Sequence, residues 1–122
     1  RALVLTWDLG GRMNATALLT RSWALRPRGL VLLHNGHDGR TSDLEERPDP
    51  YGLAVFLTEL GFDVITLCMP YLGYNHHGAD RPVAHNHDMF QKYYRDGDEA
   101  VLAYFLAPVG LALDWAEEEL GH

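Results

Sequence analysis

Two short apolar runs separated by one helical pattern constrain this chain most. Leu30-Val31-Leu32-Leu33 is an uninterrupted apolar run, as expected of a strand covered on both faces. Phe62 to Leu67, "FDVITL", is a second such run. Between them Asp49-Pro50 offers an N-cap and a first-turn proline. Leu53, Phe56, Leu57 and Leu60 then recur at helical spacing, and Gly61 ends the pattern. Strand, helix, strand at these lengths predicts a βαβ unit with a parallel pair and a right-handed crossover.

The flanks extend this unit. Ala2 to Trp7 and Ala15 to Leu19 are short apolar runs around the turn composition Asp8-Leu9-Gly10-Gly11-Arg12, which predicts an antiparallel hairpin. Arg26-Pro27-Arg28-Gly29 reads as a second turn, and Gly39 to Asp49 as a loop. A helix is expected from Asp98 to Leu120, with Val101, Phe105, Val109, Ala112, Leu113, Ala116 and Leu120 on one stripe. Pro108 inside it should kink or split it. The fold class is therefore α/β: an N-terminal hairpin, two parallel strands and a long C-terminal helix. With 122 residues there is room for one small domain, residues 1–122, and not for two.

Composition excludes several functions. The net charge is −7 and the ten Lys and Arg are scattered, which argues against a nucleic-acid partner or an anionic membrane surface. No window of about 18 apolar residues exists to span a membrane. No signal peptide is visible, although the first residue is Arg, so a leader could have been removed. The single Cys68 rules out an internal disulfide and suits a reducing compartment, such as the cytoplasm, or a redox-indifferent one. At the end of an apolar run, Cys68 reads as a small buried hydrophobe.

Chemistry-bearing residues concentrate after the two apolar runs. The first ends in His34-Asn35-Gly36-His37-Asp38-Gly39. Three readings stay open: a tight turn, a loop that holds an oxyanion, or metal ligands. His34, His37 and Asp38 could hold Zn²⁺ only if the turn brought their donor atoms to about 2.0–2.1 Å from one ion. Pro70 to about Asp96 is a long polar segment with His76, His77, His85, His87 and Asp88. It reads as a solvated loop, a substrate-facing lid, or part of a metal site shared with His34 and His37. Tyr71, Tyr74, Tyr93 and Tyr94 could line a pocket or pack as core. Glu117 to Glu119 read as a solvated helix end.

The order of elements, with "LVLLHNGHDG", "LTELGFDVITLCMPYLGYN" and "FLAPVGLALDWAEEELG", resembles the N-terminal half of an α/β-hydrolase of the esterase and dienelactone-hydrolase-like branch. The resemblance runs from Ala2 to Gly121. It implies a carboxylic-ester hydrolase acting by acyl transfer, with no cofactor. The loop after the third strand would give one backbone N–H to an oxyanion hole. On this chain Gly36 and His37 carry that loop, with the His37 amide as donor and Asp38 beside it as a further catalytic residue. His34, Asn35, Tyr71 and Asn75 would contact a small ester substrate. The nucleophile elbow G-x-S-x-G is absent; the only serines are Ser22 and Ser42. The third strand would pair on its free side with the nucleophile strand. Leu30 to Leu33 should therefore be an apolar edge that invites a second copy or a second chain to complete the sheet.

Two other functions fit the same residues. One is a metal-dependent hydrolase using His34, His37, Asp38, His85 and His87 around Zn²⁺ or another divalent ion. The other is a non-catalytic binding or assembly module.

Overall fold

The computed structural model describes residues 2–10, 13–34, 48–68 and 98–122. In chain order these form β1 (Ala2–Gly10), β2 (Met13–Thr20), β3 (Leu30–His34), α1 (Pro48–Glu59), β4 (Asp63–Leu67) and α2 (Asp98–Leu120). One sheet has the order β1-β2-β4-β3. β1 pairs antiparallel with β2, with Leu5 opposite Ala17 and Trp7 opposite Ala15. β2 pairs antiparallel with β4, with Leu19 opposite Ile65. β3 lies parallel to β4, with Leu32 beside Ile65 and His34 beside Leu67. The hairpin and the parallel pair expected from the sequence are both present.

The two-residue period of the strands sorts the core. Leu5, Ala17, Leu19, Ile65 and Leu67 share one face. Ala112 and Ala116 of α2 are buried against them, with Trp7, Leu30, Leu32, Val109, Trp115 and Leu120 packed around. Alanines on the helix let its backbone lie close to the sheet. On the other face Val64, Thr66 and Cys68 are buried too. Ala54 and Thr58 of α1 are buried outside the α2 cluster, and they cover this second face. The sheet is therefore a middle layer, with α1 on one side and α2 on the other.

Of the kink or split expected at Pro108, the split does not occur: α2 is one continuous helix through it. Two expectations about helix faces need correction. On α2, Leu113 is half exposed, and Trp115 takes its place against the core. On α1, Leu53 and Phe56 face outward, as does Leu60 just past its end, while the smaller Ala54 and Thr58 face the sheet. The segment is apolar almost all round, so its spacing does not select one stripe.

β3 is not buried on both faces. All four of its leucine and valine residues are half-buried, because β3 ends the sheet. Among the described residues its only strand partner is β4, as expected of an open apolar edge.

Candidate functional site

β3 and β4 run in the same direction and end side by side at His34 and Leu67. α1, which follows β3 in the chain, lies on one face, and α2, which follows β4, lies on the other. Neighbouring parallel strands followed by helices on opposite faces mark a topological switch point. In open α/β sheets, ligands bind outside the carboxyl ends of such strands. The rim at His34 and Leu67 is therefore the place where this fold can build a site.

Of the residues expected to act there, the structure places His34. It is the last residue of β3 and is exposed. By strand alternation it shares the α2 face with Leu30 and Leu32. Cys68, one residue past β4, is buried at 3% exposure, and its amide donates to the Thr16 carbonyl at 2.9 Å. It packs as the small hydrophobe the sequence suggested, with its side chain on the α1 face. Asn35, Gly36, His37, Asp38, Tyr71, Asn75, His85 and His87 lie outside the described residues. Among the described residues no three His, Cys, Asp or Glu side chains come together as a metal site.

A second polar cluster lies at the opposite end of β4. Asp63 opens that strand and is fully buried. Its Oδ1 accepts the Ser22 amide at 2.8 Å. Its Oδ2 faces Arg21 Nε at 3.1 Å and His122 Nε2 at 3.0 Å. Burial alone would push the Asp63 carboxyl up. The His122 hydrogen bond, the Ser22 amide and the Arg21 charge outweigh it and hold the carboxyl below its ordinary value. Asp63 thus stays ionised at neutral pH. It ties together the exit of β2, the start of β4 and the end of α2.

That cluster was missed in the sequence, and one signal could have found it. A carboxylate opening a strand that is otherwise wholly buried must have partners, because an unpaired buried charge is too costly. Its position at the amino end of a parallel strand marks it as architectural. Catalytic groups in such sheets gather at the carboxyl ends.

No protein-family model, curated protein or solved structure matches the chain. Among the described residues, no helix is long and apolar enough to cross a membrane.

Proposed function

We propose that this chain is the N-terminal part of a carboxylic-ester hydrolase of the α/β-hydrolase type, of the esterase and dienelactone-hydrolase-like branch. Its contribution is the oxyanion loop. The His37 amide donates to the developing oxyanion, and Gly36 lets the backbone approach the substrate. Asp38 lies beside them as a further catalytic residue, and His34, Asn35, Tyr71 and Asn75 contact the ester. The serine nucleophile, its acid and its general-base histidine come from sequence beyond these residues. No cofactor is required.

The observation that supports this reading is that α1, which follows β3, and α2, which follows β4, lie on opposite faces of the sheet. With right-handed crossovers, α1 carries the chain from β3 inward to β4. α2 lies on the other face, so a right-handed crossover through it runs the opposite way. It would deliver a following parallel strand past β3, onto the open apolar edge. A nucleophile on that strand would sit next to the loop after His34, the relation an oxyanion donor needs.

The test is made on the assembled enzyme isolated with this sequence. His37→Pro removes the backbone donor and should lower kcat by about 10²–10³-fold with KM little changed. His37→Ala keeps the amide and should retain most activity. Equal loss in both variants, or abolition of wild-type turnover by a chelator, would overturn the proposal in favour of the imidazole or a metal.

A further inference from the structure

The segment between β2 and β3, residues 21–29, presents two large apolar side chains to solvent. Trp23 is 84% exposed and Leu25 is 103% exposed. The segment is nonetheless firmly held. The Ser22 amide donates to Asp63, and its hydroxyl to the Thr58 carbonyl at 3.4 Å. The Ala24 amide donates to Ser22 Oγ at 3.0 Å. The Arg28 amide donates to the Gly61 carbonyl at 2.8 Å, and its guanidinium lies 5.4 Å from the centre of the Phe62 ring. A segment anchored at both ends holds Trp23 and Leu25 outward in a fixed position, a feature of contact surfaces.

The charge around the two residues is one-sided. Arg21, Arg26 and Arg28 fall within eight positions of a chain whose net charge is −7. Arg21 and Arg28 have internal partners, whereas Arg26 is exposed and has no ion-pair partner among the described residues. The natural occupant is therefore apolar and acidic.

This chain carries an acidic surface at the same end. His122 brings the end of α2 to Asp63, the residue that also anchors Arg21 and Ser22. The last turn of α2 carries Glu117, Glu118 and Glu119, all exposed and none in an ion pair among the described residues. No basic residue lies in that turn. Three carboxylates at the negative end of a helix dipole are unfavourable until a cation meets them. Cationic apolar loop and acidic helix end thus sit beside each other on one end of the molecule. A two-fold axis between two copies places each on the other, and a contact of that kind closes at two subunits.

We propose that residues 21–29 and the last turn of α2 form a homodimer contact, with Trp23 and Leu25 as apolar anchors and Arg26 opposite the glutamates of the second copy. The contact lies at the amino end of β4, away from His34 and Leu67, so it leaves that rim open. It is independent of the β3 edge and of the proposed hydrolase reading. An anionic lipid surface fits the arginines less well, because the molecule as a whole is acidic.

Sedimentation velocity over a concentration series tests this. The full wild-type protein that carries this sequence should dimerise. Trp23→Ser with Leu25→Ser should weaken the dimer by more than about tenfold, as expected for central apolar anchors. Arg26→Glu should weaken it too, and adding Glu117→Arg and Glu118→Arg to that variant should restore it. These side chains are exposed, and unchanged circular dichroism will show that each variant folds. A wild-type monomer at every concentration, a dimer indifferent to the Trp23 and Leu25 changes, or capture of the wild type by phosphatidylglycerol vesicles would each overturn the proposal.

Discussion

The Nε2 atom of His122 lies 3.0 Å from Oδ2 of Asp63, a residue 59 positions earlier in the chain. This bond joins the end of α2 to the start of β4 at the centre of the sheet. Gly121 makes it possible. Its φ of +69° turns the chain just past the helix, a conformation glycine adopts at little cost.

Asp63→Asn should be among the most destabilising single changes. It removes the charge that meets both Arg21 and His122 inside the protein. Arg21 is half exposed and can return to water, so the cost should be about 2–4 kcal/mol. His122→Ala removes one partner only and should cost about 1 kcal/mol. The double variant should be less destabilised than the sum of the two, because both changes act on one network. Urea unfolding of the four proteins measures all three quantities.

Acid stability should report the same residue. The Asp63 carboxyl is held below its ordinary value of 3.8. Its contribution to stability is therefore present above that value and is lost as pH falls through the lower folded value. Wild type should lose stability more steeply than Asp63→Asn below about pH 4. Parallel curves for the two proteins in thermal melts across that range would contradict this.

Gly61 sits at φ +96°, two residues past the end of α1. A Cβ built there would meet Arg28 Cδ at 3.2 Å and Cγ at 3.3 Å. Gly61→Ala should cost about 1–2 kcal/mol, most of it backbone strain, since the arginine side chain can shift. If Arg28→Ala in the same background does not restore stability, the strain is in the backbone, as expected.

Thr66 lies in the middle of β4 with its hydroxyl buried and, among the described residues, without a hydrogen-bond partner. Thr66→Val keeps the shape and the β-branching while removing the unsatisfied oxygen. It should stabilise the protein by about 1 kcal/mol, read as a higher urea midpoint at unchanged slope.

Ala116 is 1% exposed where α2 meets the sheet. Ala116→Leu should force the helix away and cost about 1–3 kcal/mol. Leu113→Ala, on the half-exposed side of the same helix, should cost under about 1 kcal/mol. Thermal melts of the two variants compare them directly.

The order of elements was legible because each carries its own punctuation. Gly61 stops α1, the "FDVITL" run supplies β4, and the turn composition Asp8 to Arg12 between two apolar runs marks the hairpin. What the sequence hid depends on tertiary contacts. α1 is apolar on nearly every side, so packing selects Ala54 and Thr58 as its inner face, and Leu53, Phe56 and Leu60 remain outside. Pro108 lies within one continuous helix because tertiary burial overrides local propensity; Pro108 itself is buried. The Asp63 cluster draws on residues 41 and 59 positions away, a separation no local pattern encodes. At the candidate site, the turn composition after Leu33 correctly marked the end of β3. Its opposition to Leu67 emerged only from strand pairing.

The proposed function is most directly tested by labelling. The protein carrying this sequence is isolated from its native cells, treated with a fluorophosphonate that reacts with activated serines, and mapped by peptide mass spectrometry. The account predicts one labelled serine, in a peptide beyond these 122 residues, with ester hydrolysis lost in proportion. A label on Ser22 or Ser42, or unlabelled protein whose ester turnover a chelator abolishes, would contradict it.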